Sequence, residues 1–182
     1  MNFLGVAVLT VLTVACQGGV MKSNLQNLLL RIHNQGRHLL NDGRVSGQPR
    51  AGGIPDLTWD ERLARKAKAW ADGCQFKHTS AGEFGENLYM EMSQKPEEDI
   101  VVNGFQGWWD EVGQFNYNGA SCMNTGSCHY SQVIWAETRK VGCAMKKCRQ
   151  IPQMPGGKNI QYLVCFYDPK GNWYGEKPYQ QA

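Results

Sequence analysis

Four of the chain's seven cysteines fall in one run, Cys122 to Cys148, and that run limits what the chain can become. Within it Cys128 is followed at once by His129, then by Val133, Ile134 and Trp135, and then by Val141-Gly142-Cys143-Ala144. A segment this apolar and stapled on both sides must be packed, yet it presents an imidazole. It reads as the floor of a site. Cys16 stands apart in an N-terminal apolar stretch, which leaves Cys74, Cys122, Cys128, Cys143, Cys148 and Cys165 for the folded chain. An even number in an exported chain implies three disulfides, and the sequence alone leaves fifteen pairings open.

Export is read from the N-terminus. Phe3 to Ala15 is an uncharged apolar run, too short to span a bilayer and followed by small and polar residues. A signal peptide over residues 1–18 and one domain over 19–182 are expected, with cleavage between Cys16 and Gly19. No Lys or Arg precedes the apolar run, and Thr13-Val14-Ala15-Cys16 half fits the acylation site of a bacterial lipoprotein, so that alternative stays open. No second long apolar segment follows, so the mature chain is expected to be extracellular, without a transmembrane anchor. Its 182 residues, 42% of them hydrophobic, suffice for one core. A net charge of +3, evenly spread, argues against a nucleic-acid partner. No Asn-x-Ser/Thr occurs, so no N-linked glycan is expected.

Periodicity sets out the elements. Leu25, Leu28, Leu29, Ile32 and Leu39 lie at helical spacing over Lys22 to Leu40. Asn41 to Pro55, rich in Gly, Pro, Arg and Ser, is a loop. Thr58-Trp59-Asp60-Glu61 reads as a capping box for a second helix that docks through Trp59, Leu63, Ala67, Trp70 and Cys74. Lys95-Pro96-Glu97-Glu98-Asp99 places a proline and three acids at a third helix start, as the helix dipole prefers. Ile100, Val101, Phe105, Trp108 and Val112 carry that helix to Glu111, and Gly113 to Ser121 is a loop. Lys140 to Lys146 and Asn159 to Phe166 read as strands joined by the Pro/Gly-rich turn 152–157. Helices with strands among them make an α+β domain.

Cys128-His129-Tyr130-Ser131-Gln132-Val133-Ile134-Trp135-Ala136-Glu137-Thr138 resembles the first signature of the CAP family, the cysteine-rich secretory, antigen 5 and pathogenesis-related-1 proteins. The family writes it Gly-His-Tyr-Thr-Gln-Val-Val-Trp-x-x-Thr, so Cys128 replaces the leading glycine and Ser131 the threonine. Tyr162 to Trp173 resembles the second signature, with Phe166 where the family usually has a polar residue. His33-Asn34 and Arg37 are similar to the His-Asn-x-x-Arg of the family's first helix, and the ending Tyr174 to Tyr179 is similar to that of plant pathogenesis-related-1 proteins. The resemblance covers the mature chain and implies a three-layer α-β-α sandwich. It also implies the pairs Cys74–Cys148, Cys122–Cys128 and Cys143–Cys165, the last joining strands expected to be neighbours.

His78, Glu86, Glu111 and His129 match the family's cleft tetrad. Two imidazoles and two carboxylates suit a labile divalent cation such as zinc, with His78 and His129 as ligands and the glutamates ligating or orienting them. A buried polar network that only fixes the fold is the competing reading. His33 is read as a hydrogen-bonded structural residue and His38 as surface. A metal- or serine-dependent hydrolase using His129 with Glu86 or Glu111, with Ser131 as the candidate serine, is the enzymatic alternative, but no nucleophile elbow and no His-Glu-x-x-His helix is present. Phe115 and Tyr117, in the loop Gly113 to Asn118, allow a third reading, a sterol or fatty-acid carrier. Lys146, Lys147, Arg149 and Lys158 are read as a solvated face. The expectation is a secreted binding module, a monomer or weak dimer, acting on an extracellular protein or lipid in defence, host modulation, reproduction or venom.

Overall fold

The computed structural model describes residues 21–122 and 128–182, so the expected signal peptide lies outside the described residues. The elements run α1 (Ser23–Asn41), β1 (Thr58–Trp59), α2 (Glu61–Asp72), β2 (Gly85–Met92), α3 (Glu97–Asp110), a 3-10 turn (Glu111–Gln114), β3 (Phe115–Asn116), β4 (Ser121–Cys122), α4 (His129–Val133), β5 (Lys140–Cys148) and β6 (Ile160–Asp168). The main sheet has the order β1-β5-β6-β2, with β1 parallel to β5 and the other pairs antiparallel.

The layers follow from strand alternation. Val141, Cys143, Leu163, Cys165 and Tyr167 point to one face, against Leu25 and Leu29 of α1 and Val101 and Trp108 of α3. Ala144, Cys148, Ile160, Tyr162, Val164 and Phe166 point to the other, against Leu63, Ala67 and Ala71 of α2. The sheet is therefore apolar on both sides, which is why β6 is buried from Ile160 to Tyr167. This is the α-β-α sandwich. A third cluster, with Tyr130, Ile134, Phe115, Tyr117 and Tyr179, packs α4 and the chain's end together. At Gly142 a side chain would run into Asp60 O and Ala64 N, so glycine lets α2 lie directly on β5.

Three disulfides join Cys74 to Cys148, Cys122 to Cys128 and Cys143 to Cys165. Cys143 and Cys165 are direct cross-strand partners, 4.1 Å apart at Cα.

Several local expectations are corrected. Thr58 does not cap α2: its N–H donates to Arg139 O in the pairing of β1 with β5, and Asp60 caps the helix by accepting from Leu63 N at 3.0 Å. Glu61 instead accepts from Trp59 Nε1. The buried stripe of α2 is Leu63, Ala64, Ala67 and Ala71, with Trp70 only half-buried, and the helix stops at Asp72, before Cys74. Gly113–Ser121 is not all loop, since Phe115–Asn116 pairs with Ser121–Cys122. Strand β2 has no counterpart in the sequence reading.

Candidate functional site

The four residues of the expected tetrad come from four unlike settings that meet at the start of the edge strand β2. Glu86 is its second residue, on the same face as Leu88; His78 sits in the loop leading into it. Glu111 opens the 3-10 turn after α3, and His129 is the first residue of α4. Cys128, stapled to Cys122, holds the chain just before His129.

The tetrad forms two matched pairs. His78 Nδ1 lies 3.0 Å from Glu86 Oε2, and His129 Nδ1 lies 2.7 Å from Glu111 Oε1. Each carboxylate is itself anchored. Glu86 accepts from Thr79 N at 2.9 Å and from Thr79 Oγ1. Burial pushes the Glu86 carboxyl up, but the hydrogen bonds from His78 and Thr79 outweigh it and leave the group below its usual pKa. Glu111 also takes Tyr130 N at 3.2 Å, so one carboxylate fixes both the ring and the first backbone turn of α4.

The rings are stacked. His129 lies 6.2 Å from Trp108 and 6.5 Å from His78, centre to centre, with interplanar angles of 26° and 28°. Trp108 is locked by donating from Nε1 to Leu88 O. The backbone of His129 is held by Asn87, whose Nδ2 donates to His129 O at 3.1 Å and to Tyr167 Oη at 3.1 Å. Tyr167 in turn meets His33 Nε2 at 2.9 Å, and His33 Nδ1 meets Leu29 O at 2.7 Å. His33 is thus a buried structural link, and His38 an exposed partner of Asp56.

Arg37 supports the other end of α4. Fully buried, it donates to Val133 O, Trp135 O, Thr138 O and Pro55 O at 2.7–3.0 Å. Burial draws its pKa down to about 10, so it remains charged at neutral pH. Residue type and spacing do not single out Thr79, Asn87 or Trp108 as parts of the site. The neighbourhood of Glu86 in Gly85-Glu86-Asn87 is the one available signal for Asn87.

With both Nδ1 atoms engaged by carboxylates, the two Nε2 atoms are the ring nitrogens without a hydrogen-bond partner among the described residues. A carboxylate behind each imidazole is the usual support of a metal-ligating histidine. The fit to zinc is partial. Two imidazoles on one tetrahedral zinc place their ring centres about 5 Å apart, so this pair would need to close by about an ångström. The carboxylates serve the rings and do not converge with them, and among the described residues no three His, Cys, Asp or Glu side chains gather as a ligand set.

The serine-hydrolase constellation is not assembled. Ser131 Oγ lies 2.6 Å from Asn172 Oδ1 and 2.9 Å from Cys128 O, while the His129 ring is turned to Glu111. Phe115 and Tyr117 are buried, and Tyr117 packs against Tyr179. Lys146, on the basic hairpin, pairs with Asp72 at 3.1 Å.

A family model described as CAP, cysteine-rich secretory protein family, matches residues 30–167. Salivary antigen-5 of Triatoma infestans is 34% identical over 173 residues, covering 84% of this chain and 70% of that protein. Human cysteine-rich secretory protein LCCL domain-containing 2 is also 34% identical, over 85% of this chain, and the chain spans only 32% of its length. The crystal structure of NaASP2 with Zn2+ superposes with a TM-score of 0.79 at 25% identity, covering 91% of this chain and 90% of that one. On the strength of the matched signatures, the layered sheet and these relatives, the chain belongs to the CAP family of cysteine-rich secretory proteins.

Proposed function

We propose that this chain is a secreted binding protein whose cleft holds a divalent cation weakly through Nε2 of His78 and His129. The observation that carries the reading is the paired arrangement: each imidazole is anchored through Nδ1 to its own glutamate, leaving two open nitrogens on facing rings. Support for export comes from the three disulfides and from the uncharged apolar run Phe3 to Ala15. The related NaASP2 has been crystallised with Zn2+, in keeping with such a cation.

A cation held there would supply a Lewis-acidic anchor for an oxygen-bearing group of an extracellular protein or lipid partner. The chain's own residues bind and orient. Glu86 and Glu111 fix the rings, and Trp108 and Asn87 hold the wall on which His129 sits. Ser131 Oγ meets Cys128 O and Asn172 Oδ1 and, among the described residues, no base, so the reading is binding without turnover.

Calorimetric titration with zinc tests this. Uptake in the micromolar range or weaker is expected, lost in the double variant His78→Ala, His129→Ala and reduced in Glu111→Gln. Equal uptake by the double variant would reject the cleft as the metal site. Hydrolysis of peptides or esters in the presence of zinc, abolished by Glu111→Gln in a folded protein, would overturn the binding-only reading.

A further inference from the structure

A pocket lies apart from the two histidine–glutamate pairs. It has a volume of about 400 Å³ and sits between the β3–β4 hairpin, the start and exit of α4, and the C-terminal segment. Phe115, Trp135, Trp173 and Tyr174 line it, and among the described residues its one charged lining group is Glu176; none of His78, Glu86, Glu111 or His129 reaches it. Trp173 and Tyr174 are among the few large apolar side chains left exposed, at 47% and 105%. Adjacent exposed aromatics at the mouth of a pocket mark a binding surface.

The chemistry of the walls selects the ligand. The amide of Asn172 is already committed, since its Oδ1 lies 2.6 Å from Ser131 Oγ and its Nδ2 donates to Cys128 O at 2.9 Å. Ser131 Oγ also lies 2.9 Å from Cys128 O. A ligand that needs many hydrogen bonds, such as a sugar or a nucleotide, finds these polar groups spent. Beside these groups the walls offer the rings of Phe115, Trp135, Trp173 and Tyr174 and the carboxylate of Glu176, and among the described residues Glu176 has no ion-pair partner. Those are the requirements of an organic ammonium, which is held by ring quadrupoles and a nearby negative charge without hydrogen bonding.

The chain already uses the same interaction at its rim. Lys170 Nζ lies 4.3 Å from the centre of the Trp173 ring, fixed by donating to Gly82 O at 2.9 Å.

We infer that the pocket bounded by Trp135, Trp173, Tyr174 and Glu176 binds a quaternary ammonium group. The group could be a free amine or the headgroup of a choline lipid, which share the trimethylammonium. Indole N–H resonances of Trp135 and Trp173 report on the pocket directly, so the test is an NMR titration with choline, with phosphocholine and with 3,3-dimethylbutan-1-ol, the uncharged isostere of choline. Choline is expected to shift the Trp173 resonance with a Kd on the order of 1 mM or tighter, in keeping with so small a ligand. Glu176→Gln should weaken binding by about tenfold and Trp173→Ala by at least as much, both being exposed positions that leave the core intact. His129→Ala should leave it unchanged, which separates this site from the metal cleft. Binding of choline alone assigns the site to a free amine, and binding of phosphocholine as well assigns it to the lipid headgroup. Equal binding of the uncharged isostere, no binding of either cation, or full affinity in Glu176→Gln would overturn the inference.

Discussion

Acidification should unfold this protein partly through one buried ring. His33 is fully buried on α1, with Nδ1 facing Leu29 O, which can only accept, so Nδ1 carries the proton and Nε2 accepts from the Tyr167 hydroxyl. The Tyr167 oxygen already accepts from Asn87 Nδ2. A second proton on His33 would turn Nε2 into a donor and force the Tyr167 hydroxyl hydrogen elsewhere in a closed interior. Burial, helped by the nearby Arg37 charge, outweighs the Leu29 hydrogen bond and lowers the His33 pKa from 6.5 to about 4. As pH falls through 6.5 the unfolded chain takes up a proton that the native chain refuses until near pH 4, so stability falls across that window as pH falls. A fall from 6.5 to about 4 corresponds to about 3 kcal/mol at pH 4 and below, a large share of a domain's stability. The assay is urea unfolding from pH 7.5 to 4 for the native chain and for His33→Gln, which keeps polar atoms at the site but does not titrate. The variant is expected to be less stable at neutral pH and to lose stability less steeply between pH 6.5 and 4. Parallel pH profiles for the two proteins would refute the assignment of that slope to His33.

Two further outcomes are expected. Arg37→Lys replaces a fork that reaches four backbone carbonyls with a single point donor, so several buried acceptors lose their partners; thermal and urea unfolding should report a loss of about 3 kcal/mol, with the Nε2 face of the cleft disordered as seen in the His129 NMR signal. Replacing Cys74 and Cys148 together by Ser opens a loop spanning 74 residues, worth about 4 kcal/mol on chain-entropy grounds, and a melting point unchanged from the native chain would show that the bridge contributes nothing.

The parts of the fold legible in the sequence are those where local pattern and burial agree. The periodicity predicts a helix over Lys22–Leu40 and α1 runs Ser23–Asn41, because its buried leucines must face the interior. The hairpin β5–β6 is legible because a strand buried on both faces is written as a continuous apolar run. Where tertiary pairing competes with local chemistry, the local reading fails. Thr58 has the right spacing to cap a helix, but its N–H is taken by Arg139 O and the cap passes to Asp60. Strand β2 is invisible because Glu86, Asn87 and Glu91 break its apolar alternation; as an edge strand it can carry them, and the first two serve the cleft.

The sequence by itself determined the disulfide-bearing class of the chain and the two outer helical layers, since residue type and spacing along the chain, matched to the family's signatures, are enough for each. Only the tertiary structure decided which glutamate serves which histidine, that both Nδ1 atoms are engaged, and that the C-terminal aromatics and Glu176 line a pocket of their own. Those relations join residues from separate elements, such as Glu111 with His129 and Ser131 with Asn172, across gaps set by how the helices and the chain's end pack on the sheet. A distance of a few ångströms through space leaves no trace in spacing along the chain.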